Sequence, residues 1–160
     1  MKLSPFYSSL VHFARRLAEV GVDGLVIFNR FYQPDIDVEA LEVIRVNLSN
    51  SSELLLRLRW LAILSGRVNA SLAVTGGIHT HFDAIKALMA GADAVQMVSA
   101  LLEHGPEYLR TIQEHLAQWL EEHEYESLEQ MRGSMNMQNC PNPSAYERAN
   151  YMQMLQSWSV

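Results

Sequence analysis

The 160-residue sequence is short of several things, and each shortage excludes something. It holds one cysteine, Cys140, so it can form neither an internal disulfide nor a cysteine-based zinc site. Cys140 stands among Asn and Pro with no basic neighbour to activate it, which favours a structural or incidental thiol. No apolar run approaches the roughly 18 residues of a membrane span. Met1-Lys2 is followed by Leu3, Ser4 and Pro5, not by the apolar core of a signal peptide, so a cytoplasmic protein is expected. Basic residues are scarce: 12 Lys and Arg against 18 Asp and Glu give a net charge of −6. That balance argues against a nucleic-acid partner, because a phosphate backbone calls for clustered Lys and Arg. There is no internal repeat and no low-complexity tract.

What is present is an alternation of short apolar runs and amphipathic stretches. Leu10, Phe13, Leu17 and Val20 recur at helical spacing behind Ser8-Ser9, and Gly21 closes that helix. Gly24-Leu25-Val26-Ile27-Phe28, Leu72-Ala73-Val74 and Ala94-Val95-Gln96-Met97-Val98 read as buried strands. Lys2-Leu3-Ser4 reads as the stub of a fourth. Ser52 to about Leu64 reads as a helix with Leu54, Leu55, Leu58, Leu61 and Ala62 facing inward. Thr80 caps the next, which carries Phe82, Ile85, Leu88 and Met89 and stops at Gly91. Pro106 opens a longer helix through Tyr108, Ile112, Leu116 and Leu120. Strand and helix in alternation are the sign of parallel βαβ units.

Two regions break the rhythm. Residues 31–51 form a long connection whose Leu41, Val43, Ile44, Val46 and Leu48 suit a small hairpin. Residues 124–160 are polar and rich in Met, Asn and Gln, with a helix expected from about Ser144 to Leu155. They read as an extension that packs on the main body or on a partner. The methionines there suit packing better than a cofactor box.

The strongest chemical signal is Val74-Thr75-Gly76-Gly77-Ile78, a strand end followed by a helix. Two glycines there let the backbone come close to a ligand, and their N–H groups with the helix start favour a phosphate. A plain tight turn is the alternative. Ser99, at the next strand end, supplies a hydroxyl beside them. Lys2 can hydrogen-bond an electron-rich cofactor and stabilise its anionic reduced form, although a solvated lysine is the simpler reading. Asn29 ends a strand with an amide that both donates and accepts, suited to a planar imide or simply to a turn. Arg30 suits a carboxylate partner or solvent equally well. His79, His81 and Asp83 invite a metal reading, but their spacing across a strand-to-helix junction does not put them on one face. They read as solvated residues at a helix start, and no metal site is expected.

These pieces together resemble the dihydroorotate dehydrogenase family over about residues 1–133. Lys2-Leu3-Ser4-Pro5-Phe6 looks like the family's fifth barrel strand, which begins with a flavin-contacting lysine. Leu25 to Arg30 looks like the sixth strand. Thr75-Gly76-Gly77-Ile78 with the helix from Asp83 looks like the seventh, and Gln96 to Leu101 like the eighth. Tyr125-Glu126-Ser127-Leu128 resembles the family's C-terminal segment. Val98 departs from the pattern, standing where many members have glycine.

The resemblance implies an α/β fold, the C-terminal half (about strands 5–8) of a TIM-type β/α barrel with a C-terminal helical extension. It divides into residues 1–123, a partial FMN-binding barrel, and residues 124–160, the extension. A full barrel needs roughly 200–250 residues. The implied activity is FMN-dependent oxidation of dihydroorotate to orotate in pyrimidine biosynthesis. The implied cofactor residues are Lys2 at the flavin and Gly76, Gly77 and Ser99 at its phosphate, with Asn29 contacting substrate. Nothing matches strands one to four, which carry the catalytic base, a Cys or Ser taking the C5 proton. No catalytic residue is therefore assigned. The expected partners are dihydroorotate or orotate and either a complementary N-terminal half or a second copy. The competing expectation is a non-catalytic half-barrel that binds phosphate or a partner.

Overall fold

The computed structural model describes residues 1–31, 33–45, 48–147 and 151–157. Four strands, β1 (Lys2–Leu3), β2 (Gly24–Ile27), β5 (Ser71–Thr75) and β6 (Ala94–Gln96), form one parallel sheet in the order β1-β2-β5-β6. The crossovers are α1 (Leu10–Glu19), α2 (Leu54–Leu64) and α3 (His81–Met89). Between β2 and α2 stands an antiparallel hairpin, β3 (Pro34–Asp37) and β4 (Glu42–Arg45). After β6 come α4 (Ser99–His104), α5 (Tyr108–Glu122), α6 (Leu128–Met131) and α7 (Tyr151–Ser157).

The two faces of the sheet differ, as the period of two in a strand requires. Leu3, Leu25, Ile27, Leu72 and Val74 are buried against Leu10, Ala14, Leu54, Leu61, Ala84 and Ala87 of the crossover helices. The other face carries Lys2, Val26, Ala73 and Ala94, which lie opposite one another in register. Lys2 and Ala94 are exposed there, and Val26 and Ala73 are half-buried. The helices thus cover one side of the sheet only, and β1 and β6 are its edges.

The expected alternation and all four expected strands are found. Several details differ. Leu55 is 68% exposed, although it was expected to face inward; its helix turns Arg57 inward instead, one turn after Leu54 and one before Leu61. Leu54, Leu61 and Ala62 are buried and Leu58 is half-buried as expected, so Leu55 lies on the edge of the helix away from that stripe. Phe82 is likewise half exposed. The hairpin lies where a hairpin was expected, but its strands are earlier: Leu41 falls in the turn, Leu48 lies beyond β4, and Val46 lies outside the described residues. The short helix α4 was not anticipated. The expected helix from Ser144 is a 3₁₀ turn, Pro143–Tyr146, and α7, with residues 148–150 outside the described residues.

The segment after α5 packs under the sheet's N-terminal end. Met131 is fully buried, and Asn136 and Cys140 are buried beside it. The N–H groups of Gly133, Met135 and Met137 donate to the carbonyls of Leu88, Met89 and Ala62 at 2.9–3.0 Å. Those carbonyls belong to the last turns of α3 and α2, where the helices' own N–H donors run out; the Leu88 carbonyl also accepts from the Gly91 N–H at 2.9 Å. Residues that read as a polar tail therefore close two helix ends.

Candidate functional site

The C-terminal ends of the four parallel strands meet on one side of the molecule, where β/α proteins place their ligands. A cleft of about 260 Å³ lies there, lined by Lys2, Ser49, Gly76, Gly77, Gln96 and Ser99 among others. Lys2, Gly76, Gly77 and Ser99, the four residues singled out for a cofactor, thus converge although up to 97 positions separate them. Asn29 lines an adjoining cavity of about 400 Å³ with Phe6, Phe31, Asn50 and Ser52. Phe28 and Arg30 form the wall common to both.

Gly76 and Gly77 both have left-handed backbone, with φ of 86° and 83°. A Cβ on Gly77 would lie 2.4 Å from the backbone N of Leu54, and one on Gly76 would lie 2.7 Å from the Arg57 guanidinium. Both hypothetical side chains point into the protein, not into the cleft. The tight turn is therefore required by packing, and it also leaves bare backbone facing the cleft.

Arg57 is the buried cation behind this turn, 5% exposed. Its Nε donates to the Thr75 carbonyl at 2.6 Å and its Nη1 to the Glu53 carbonyl. Burial lowers its pKa; Glu53 opposes that and Arg30 reinforces it. Arg30 does not wait for a carboxylate ligand: its guanidinium is bound to Glu53 at 2.9 Å and to the Leu48 carbonyl at 2.9 Å.

Asp83 is buried, which corrects the expectation of a solvated helix-start residue. Thr80 and Asp83 form a reciprocal capping box at the start of α3. The Asp83 carboxylate accepts from the Ser51 hydroxyl at 2.8 Å, the Thr80 N–H at 3.0 Å and the His79 N–H at 3.1 Å. Burial pushes this carboxyl up, but those hydrogen bonds together outweigh burial and hold it below the usual carboxylate range. The bond from Ser51 ties the lead-in of α2 to the start of α3, so the two loops framing the cleft are joined.

His79 is also largely buried, and its Nε2 lies 3.2 Å from the Ser49 hydroxyl. Ser49 is the residue that reading the sequence missed. It is 6% exposed; its N–H donates to Ser99 Oγ at 3.0 Å, and the two serine hydroxyls are hydrogen-bonded at 2.9 Å. In the sequence it stands in Asn47-Leu48-Ser49-Asn50-Ser51-Ser52, where any of several residues suits a helix cap. Asn50 takes the capping role, accepting from the Ser52 N–H.

The arrangement offers hydroxyls, bare backbone and a lysine around one concave space. That donor set suits a ligand rich in acceptor oxygens.

The family profile described as dihydroorotate dehydrogenase matches residues 1–120. The catalytic subunit of dihydroorotate dehydrogenase B (NAD(+)) from Petrotoga mobilis is 32% identical over 137 residues, covering 83% of this chain and 45% of that protein. The subunit of the same name from Thermoplasma volcanium is 29% identical over 136 residues, covering 82% of this chain and 44% of that protein. The crystal structure of ligand-free dihydroorotate dehydrogenase from Eimeria tenella superposes with a TM-score of 0.68 at 24% identity, covering 82% of this chain and 38% of that one. The chain spans less than half the length of the curated relatives it matches. Its parallel α/β fold is that of the solved family structures, and by sequence and fold together the chain belongs to the dihydroorotate dehydrogenase family.

Proposed function

We propose that this chain is the C-terminal half of a β/α barrel that holds FMN. Completed by a half carrying the first four strands, it oxidises dihydroorotate to orotate. The observation that carries the reading is the convergence of Lys2, Gly76, Gly77 and Ser99 on one cleft at the strand ends. The sheet's uncovered face and its two edge strands suit a partner that continues the sheet on both sides. The missing half is supplied by residues beyond these 160 or by a separate chain.

The residues present fit one end of a flavin nucleotide. At about 260 Å³ the cleft is smaller than a whole small-molecule site, typically ~300–1,000 Å³. It suits the phosphate end, with Ser99 and the Gly76-Gly77 backbone as donors. Lys2, on the open sheet face, would contact the flavin ring and neutralise negative charge on it. Asn29 reads the substrate from the adjoining cavity, and the wall of Phe28 and Arg30 separates substrate from phosphate. The flavin, when bound, supplies the hydride acceptor. The proton-abstracting base comes from the completing half. Residues 1–123 form the half-barrel and residues 124–160 its extension.

FMN binding by flavin fluorescence quenching tests this, with the chain alone and with the N-terminal half of a relative added. Binding that appears or strengthens at least about tenfold on addition, about 1.4 kcal/mol, supports the half-barrel reading. Binding in neither case refutes the FMN assignment and leaves a non-catalytic module.

A further inference from the structure

The helices α2 and α3 run back from the cleft, so their N-terminal ends frame it and their C-terminal ends lie at the opposite end of the sheet. At the cleft they are joined by the bond from Ser51 to Asp83, and the Gly77 turn lies against Leu54 of α2. At the far end they meet again. Ser65 ends α2 and Gly91 follows α3, and a Cβ on Gly91 would lie only 2.2 Å from Ser65 Oγ.

Residues 132–140 hold that second junction. At its centre is Asn136, a buried amide whose orientation its partners fix. Oδ1 accepts from the N–H groups of Gln138 and Asn139, both at 2.9 Å. Nδ2 is therefore the atom that donates to Ser65 Oγ, at 3.1 Å. The N–H groups of Gly133 and Met135 hold the end of α3, and that of Met137 holds α2. Arg132 pairs with Asp93 at 3.0 Å, and the same carboxylate accepts from the Leu72 N–H at 2.7 Å, which ties the segment to β5 and the start of β6. A buried network with every member paired specifies one geometry, because displacement leaves a buried amide without partners.

We infer that residues 132–140 are a clasp that sets the spacing of α2 and α3 from the end opposite the cleft, with Asn136 as a positioning residue for the cleft loops. At 11 residues α2 is about 16 Å long, a rigid element that carries a displacement at Ser65 through to Leu54. With the clasp released, the two helices are joined only at Ser51 and Asp83, and the Gly77 turn loses its fixed seat on α2. The inference concerns the frame of the cleft and does not depend on which ligand the cleft takes.

Hydrogen exchange read by mass spectrometry, on the 160-residue chain without ligand, tests the coupling. Ser65→Ala removes only the tie to α2 and leaves the Asn136 turn intact; Asn136→Leu removes both. Gly21→Ala, compared at a urea concentration giving equal global stability, is the control, because it destabilises the chain outside the clasp. Ser65→Ala should speed exchange about fivefold, the worth of one hydrogen bond, in residues 49–58 and 75–83 as well as in 62–66 and 88–92. Gly21→Ala should not. Acceleration confined to residues 62–66, 88–92 and 132–140 would show a local clasp and overturn the coupling. Equal acceleration in Gly21→Ala, or none in Ser65→Ala, overturns it too. If Asn136→Leu does not fold, Ser65→Ala decides alone.

Discussion

Replacing Gly77 by alanine adds a single methyl group, and the structure says where it goes. The residue has φ of +83°, and the new Cβ would lie 2.4 Å from the backbone N and 2.9 Å from the Cα of Leu54. Two costs follow. Left-handed backbone costs an L-residue about 1–2 kcal/mol. The overlap is with backbone at the first turn of α2, not with the end of a flexible side chain, so it adds about 1–3 kcal/mol as overpacking does. The sum is about 2–5 kcal/mol, a large share of the ~5–15 kcal/mol that holds a typical domain. Gly21 is the internal control: its φ is +93°, but a Cβ there meets nothing within 4 Å. Gly21→Ala should therefore cost only the backbone term, about 1–2 kcal/mol. Urea unfolding at fixed pH, followed by helix circular dichroism, reads both from midpoints at constant slope. Equal shifts for Gly77→Ala and Gly21→Ala would refute the steric argument. The same geometry bears on the ligand. A larger side chain at Gly77 strikes α2 and does not enter the cleft, so loss of FMN binding in such a variant would report damage to the fold.

Other perturbations have equally specific outcomes. Asp83→Ala should lower stability by about 1–3 kcal/mol at neutral pH through loss of the capping box and the Ser51 bond. Because the folded carboxyl sits below its unfolded value of about 3.9, its contribution is complete above that pH and is lost as pH falls through the folded value. The gap between variant and unaltered chain should close in that acid range, and a gap that persists there would contradict the assignment. Arg57→Met should destabilise by about 2–4 kcal/mol, because the Thr75 and Glu53 carbonyls lose their donor in a buried setting; an unchanged urea midpoint would show that those bonds contribute nothing. Val43→Thr, on the hairpin's exposed face, should change stability by less than about 0.5 kcal/mol and leave the cleft's ligand affinity unaltered, as fluorescence titration would show.

Much of the architecture was legible because it rests on local pattern. Short apolar runs bounded by glycine, such as Gly24 to Phe28, have few other uses than a buried parallel strand. Thr80 three residues before Asp83 is a cap written in the sequence. The errors arose where neighbours in space override periodicity. Leu55 looked like core but is exposed, while Arg57, which local pattern did not single out, is buried and donates to the carbonyl of Thr75 at the end of β5. Asp83 looked solvated because its partner Ser51 is 32 positions away.

The candidate site divides the same way. Gly76 and Gly77 stood out because two glycines after a strand are conspicuous, and Ser99 because it ends the next strand. Ser49 did not, since nothing distinguishes it from the other serines near it until the chain closes and brings residues 49, 77, 79 and 99 together. The amino-acid sequence by itself determined the βαβ order, the family and the strand ends at which a ligand would sit, because each depends on residues close together in the chain. The tertiary structure alone decided that the glycines are held by α2, that Arg30 is tied to Glu53, and that Ser49 is buried against Ser99 and His79. Those facts depend on which groups meet across long separations, and only packing sets that.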